Sequence, residues 1–234
     1  MYMSNNQVLF TRNNPYLTFY IIHMDSEFNN ISIAAKGASI VFVGTLVYYV
    51  LITMVPSAYV YLFGDLALIN VFTITKAITF LYPLILIIGL SYFRTILDDK
   101  GRSAVNAIMI TSLLMVIPLL LKSTSAMIIR FICYFIFIAS YVQLIRSELS
   151  VPVKSALKLV LVSVCIFLLN SVLTTGLFTY ITDTEVTDNV MIFTSTVWAG
   201  VINLVAILFE LIGWFRIRKA LRKEIKLRVC ETSQ

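Results

Sequence analysis

Six long apolar runs set the terms on which this chain can fold. They cover 37–56 (extending in one reading to Tyr61), 71–93, 104–121, 126–144, 156–180 and 190–215. Each is near or above the roughly 20 residues that a helix needs to cross about 30 Å of hydrocarbon. In lipid a single crossing segment must be a helix, because only a helix satisfies its own backbone N–H and C=O groups. The sequence therefore predicts an all-α polytopic membrane bundle of six transmembrane helices. Charged residues make up 13% of the chain, about half the ~25% of a soluble domain, which is too little to cover a water-facing surface of this size.

Positive charge tests the count of crossings independently. With six crossings, one side receives Arg12 and Lys36, then Arg94, Lys100 and Arg102, then Arg146, Lys154 and Lys158, and finally the seven of the tail: Arg216, Arg218, Lys219, Arg222, Lys223, Lys226 and Arg228. The other side keeps Lys76, Lys122 and Arg130. Such asymmetry follows the positive-inside rule and predicts that both termini are cytoplasmic, in a plasma or inner membrane. The link between the fifth and sixth runs has Asp183, Glu185 and Asp188 with no Lys or Arg, as an outside loop would. The expected division is a cytoplasmic segment 1–36, a six-helix domain 37–215 and a basic cytoplasmic tail 216–234. Within the first, PYLTFYII (15–22) is too short to cross and is expected to lie in the interface. Residues 57–76 are too apolar for an ordinary loop, and are read as long helices that break near Gly64-Asp65. Residues 1–36 carry no cleavable signal pattern, which leaves the first crossing as the insertion signal.

The formal charge of +6 does not point to nucleic acid, because the basic cluster directly follows the last apolar run, where a cytoplasmic anchor belongs. Ile217, Leu221, Ile225 and Val229 recur every fourth residue among those basic side chains. The tail is thus expected to continue the sixth crossing as a basic amphipathic helix. Its expected contacts are anionic lipid, at about 1 kcal/mol per basic residue near the surface, or a cytoplasmic partner.

Catalytic signatures are missing. Cys133, Cys165 and Cys230 form no CxxC or Cys/His cluster, and His23, before the first run, is the sole histidine. That excludes paired haem ligands and HExxH zinc chemistry, and no GxSxG or P-loop occurs. No intramembrane aspartate pair exists. Asp98-Asp99-Lys100-Gly101-Arg102 reads as a solvated turn, and TDTEVTD (182–188) as a soluble loop. No cofactor, metal or catalytic residue is expected.

Polar groups inside the runs are the residues worth testing, since an ionisable side chain at mid-bilayer costs ~2.5–3.5 kcal/mol on insertion scales. Glu210 and Arg130 are the two charged groups well inside a run. Thr196, Ala199, Gly200, Asn203, Ala206, Glu210 and Gly213 share one helical face, opposite Val197, Val201, Leu204, Leu208 and Ile212. A small-and-polar stripe faces protein and a bulky aliphatic one faces lipid. Ser163, Asn170, Ser171 and Thr174 make a weaker stripe on the fifth run. At 1.5 Å per residue, Lys158 and Glu210 reach similar depths, so a Glu210–Lys158 pair is expected, the alternative being an unpaired Glu210 that carries a proton. Arg130, near the other boundary, is expected to snorkel to the headgroups; the alternative is an anion or substrate contact on that side with Asp65, Asp183 or Asp188 nearby. Pro83 and Pro118 are expected to bend the second and third crossings. The functional expectation is a non-enzymatic protein that works through helix contacts with a partner or a second copy, its polar stripe packed dry. The alternative is a small transporter or channel subunit, with a water-filled path bounded by Asn170, Asn203 and Glu210.

Overall fold

The computed structural model describes residues 15–63, 74–75, 77–120, 124–184 and 189–232. Among them there is no strand. In chain order the helices are α1 (Pro15–Phe63), α2 (Leu81–Phe93), α3 (Asp99–Leu114), α4 (Ile117–Leu120), α5 (Thr124–Arg146), α6 (Val151–Thr184) and α7 (Asn189–Thr232), with one 3₁₀ turn, Arg94–Ile96, after α2. Five stretches are long and apolar enough to cross a membrane: Phe28–Val55, Ala77–Ile96, Ala126–Arg146, Val151–Gly176 and Val197–Cys230.

The third apolar run departs from expectation. It is not one continuous helix but α3 and α4, separated by a turn at Met115-Val116. Pro118 is the cause: it lacks an N–H, and its ring clashes with the carbonyl four residues back, that of Leu114. Thr111 and Ser112 add to the distortion by donating their hydroxyls to the carbonyls of Ala107 and Ile108. Pro83 acts in the same way, since the turn at Phe80 lies three residues before it and α2 begins at Leu81. Both prolines therefore distort their helices locally, with Phe80 and Met115 keeping helical φ/ψ at the turns.

Two links differ from their sequence reading. Asp98 is the N-cap of α3, its carboxylate accepting the Gly101 N–H at 2.9 Å, a contact of about 1 kcal/mol. Asp99–Arg102 is the first helical turn and not a loop, with an exposed Arg102–Asp99 contact at 3.8 Å. The stretch 15–22 is also not separate, for α1 runs unbroken over 49 residues, roughly 73 Å of helix. The expected break at Gly64-Asp65 lies outside the described residues.

The crossing helices are arranged as a closed ring. Each packs against its neighbour in sequence, and α7 closes on α1. Glycines allow two of these approaches. A Cβ at Gly37 would overlap the Gly89 carbonyl oxygen, so α1 and α2 touch backbone to backbone. A Cβ at Gly213 would sit 2.5 Å from a Val160 methyl and 3.2 Å from the Ala156 carbonyl oxygen, which brings α7 equally close to α6. The aliphatic core occupies the half of the ring nearest the tail, with Val41, Leu90, Phe93, Ile108, Leu144, Leu157 and Trp214 fully enclosed. On α7, Val197, Val201, Leu204, Leu208 and Ile212 are exposed, while Ala206, Glu210 and Gly213 point inward. That division follows the stripes read from the sequence at these positions, but Gly200, assigned to the protein-facing stripe, is exposed, and a Cβ there would meet nothing within 4 Å.

The α7 helix continues without interruption through the basic tail. Ile217 and Leu221 are buried and Ile225 packs partly against the core, whereas Arg216, Lys219, Arg222, Lys223 and Lys226 are exposed or half-exposed. The tail is a basic amphipathic helix whose apolar stripe lies against this protein's own bundle, with Val229 left exposed.

Candidate functional site

At the centre of the ring stands Glu210, 4% exposed. Its helix presents Ala206, Glu210, Gly213, Trp214 and Ile217 inward at three- and four-residue spacing, and the small residues among them let neighbouring helices close in. The α1–α2 contact at Gly37 and Gly89 aligns Tyr49, some three turns along α1, with Tyr82, two turns back along α2. Both phenols reach the carboxyl. Tyr49 donates to one Glu210 oxygen at 3.0 Å, and Tyr82 donates to the other. Their rings form a compact aromatic group with Tyr48, whose centroid is 5.1 Å from that of Tyr49 and 4.9 Å from that of Tyr82. From α5, Tyr141 and Tyr134 lie within the electrostatic reach of Glu210. Hydrogen bonds to a charged group are the strong class, about 1.5–3 kcal/mol each.

The expected pair with Lys158 does not form. Lys158 is exposed, and the Glu210 oxygens are taken by the two phenols. Depth and azimuth both depart from that expectation: with Val160 against Gly213 and Asn170 against Asn203, Lys158 lies roughly 7 Å of helix nearer the tail than the level of Glu210. The face of α6 that meets α7 is set by Ala156 and Val160, the residues against Gly213. Lys158, two residues from each, projects about 200° away from either, at 100° per residue.

Asn170 and Asn203 do meet: the Asn170 amide donates to the Asn203 carbonyl at 2.7 Å, joining α6 to α7. Ser163, Asn170 and Ser171 are all buried, while Thr174 is exposed and turns its hydroxyl back to the Asn170 carbonyl. Arg130 is half-buried on α5, one turn from Tyr134, whose electrostatic surroundings include it. Its expected acidic neighbours Asp65, Asp183 and Asp188 lie outside the described side chains.

At the tail end the chain opens a second feature, a cavity of about 460 Å³. It gathers Asn30 of α1, Asp98 before α3, Glu148 and Ser150 between α5 and α6, and Leu221 and Arg228 of α7. Nearby, Arg218 lies over the Phe42 ring at 6.0 Å, with its Nε buried and without a hydrogen-bond partner. No protein family, curated protein or solved structure matches the chain.

The tyrosines are the functional side chains that sequence reasoning missed. Tyr49 and Tyr82 sit in apolar runs where a phenol reads as bulk. The available signal was their depth, since a polar tip inside a crossing needs an acceptor, and Glu210 is an intramembrane carboxyl with two oxygens to offer.

Proposed function

We propose that this chain is a multi-pass membrane protein without catalytic chemistry, which works by holding a partner or a second copy at its tail end. One observation carries this reading. The tail end leaves a cavity and an exposed basic helical face, while within the crossings Asn170 bonds Asn203 and Glu210 bonds Tyr49 and Tyr82. In this reading the chain crosses six times, with α3 and α4 together making one broken crossing, and both termini face the cytoplasm of a plasma or inner membrane. Support comes from the cavity itself, whose lining draws the start of α1, the α2–α3 link, the α5–α6 link and the tail to one end. Those are the segments that positive charge assigns to one side. The exposed basic face meets anionic headgroups or an acidic surface, through charge alone because the apolar stripe is engaged.

Photo-crosslinkers at Lys223 and Glu224 in the native membrane test the reading against one at the lipid-facing Leu204. The expected result is the same discrete adduct from both tail positions and none from Leu204; an adduct of twice the mass identifies a second copy. No discrete adduct at the tail, together with solute flux in reconstituted vesicles, would overturn it. The alternative, a small transporter or channel subunit, draws on polar atoms of Ser163, Asn170 and Ser171 that are buried without a protein partner.

A further inference from the structure

The interior near Glu210 holds more polar atoms than its hydrogen bonds account for. Ser163 is 1% exposed, Asn170 6% and Ser171 8%, and the two serine hydroxyls and the Asn170 carbonyl oxygen have no hydrogen-bond partner. Each such group costs about 1–3 kcal/mol if left bare. All three belong to α6, at seven- and eight-residue spacing, and so share a side of it. Ser163 continues the Ala156–Val160 line that touches Gly213. Because α6 and α7 are antiparallel and meet at Asn170–Asn203 and at Val160–Gly213, Ser163 is level with Glu210. Between Asn203 and Glu210 the α7 side of this seam presents Ala206, the smallest side chain with a Cβ. Buried polar groups of this kind are met by internal water, each molecule making two to four hydrogen bonds.

We propose that a hydrated seam between α6 and α7 runs from Asn170 to Glu210, and that through it the Glu210 carboxyl exchanges a proton with the side of the membrane opposite the tail. The distance from Asn170 to Ser163 is roughly 10 Å along the helix, a span for a few waters in file. Toward the tail Val41, Leu90, Phe93 and Ile217 are fully buried and apolar and Phe93 meets the Trp214 ring edge-on at 6.3 Å, with the Trp214 indole N–H an unpartnered polar group on that side.

The proton balance is simple. A hydronium at the open end gives its proton to the first water, each water passes one on, and the last delivers one to a Glu210 oxygen, forming O–H; release reverses the sequence. The ionised carboxylate accepts from both Tyr49 and Tyr82. Once protonated, one of its oxygens gains a donor while both keep acceptor lone pairs, so the bond from the phenol on the protonated oxygen weakens. The titratable groups around the carboxyl are Tyr48 and Tyr49 from α1, Tyr82 from α2, and Tyr134 and Tyr141 from α5. Arg130 acts on Tyr134, and α6 contributes the uncharged Ser163.

Two measurements test this. In the full chain with Cys133, Cys165 and Cys230 replaced, single cysteines go in at Ser163, Asn170 and Ser171, with lipid-exposed Val162 and Leu169 as controls. A small charged thiol reagent added on the side opposite the tail is expected to label the seam positions at least tenfold faster than the controls. Equal rates, or labelling from the tail side alone, would overturn the proposal. Infrared spectroscopy of the unmodified chain in vesicles needs no variant to fold. The Glu210 carboxyl band is assigned by its loss in Glu210→Gln, or by its shift in Tyr82→Phe should the first variant not fold. The expected band responds to pH on the side opposite the tail and exchanges in D2O within minutes; a band insensitive to both would sink the idea.

Discussion

The Glu210 carboxyl accepts from two phenols, so its environment is one of donors. Tyr49→Phe and Tyr82→Phe are each expected to destabilise the protein by about 1–3 kcal/mol, as removal of a buried donor to a charged acceptor does. Thermal unfolding in detergent reads this directly. A double-mutant cycle should show the two losses coupled, because both act on one carboxyl. Lys158→Met is expected to leave the midpoint unchanged; a loss comparable to that of the tyrosine variants would restore the ion pair. The sequence singled out Glu210, Asn170 and Asn203 because insertion cost depends on residue type and depth. It did not reveal the phenols. Their meeting depends on how α1, α2 and α7 are rotated about their axes, and apolar runs exposed to lipid on one side and protein on the other encode that rotation weakly.

At the scale of elements, glycine sets how closely helices approach and proline sets where they are distorted. Gly213→Leu would drive a side chain into the Ala156 carbonyl and Val160, at an expected cost of about 1–3 kcal/mol or more from overpacking. A Cβ at Gly200 would meet nothing within 4 Å, so Gly200→Ala is expected to be neutral or to stabilise by up to about 1 kcal/mol through helix propensity. Unfolding midpoints of the two variants should therefore move in opposite directions or differ sharply in size. Pro118→Ala restores a donor for the Leu114 carbonyl. It should join α3 to α4, seen as unbroken 3.6-residue periodicity of spin-label accessibility across Met115 and Val116. Persistent loss of phase there would show that something other than proline ends α3. The helices themselves were legible from apolar runs alone. Their ends were less so: each break lies two or three residues before its proline, because the ring collides with a carbonyl one turn back, not with its own neighbours.

For the molecule as a whole, charge placement makes the sharpest forecast. Reporter fusions after Lys36, Arg102, Lys154 and Arg228 are expected to read cytoplasm, and fusions at Lys122 and Asp188 the opposite side. A cytoplasmic signal at Asp188 would remove the sixth crossing. The ring closure was not visible in the sequence, since a short-looped up-and-down chain can form a ring or a splayed row with the same hydropathy. What decides it is the bond between residues far apart: Tyr49 and Glu210 are separated by 161 positions, and Tyr82 and Glu210 by 128. That separation has a consequence for biogenesis. Helices enter a membrane in the order they are translated, so the phenols of α1 and α2 wait in lipid while everything between is made. The acceptor they need arrives on the last helix, and it arrives as a bare acid that is itself expensive to insert. Each side resolves the other's difficulty in one step. A nascent chain stopped before Asn189 has two donors with no carboxylate and an open flank on α1.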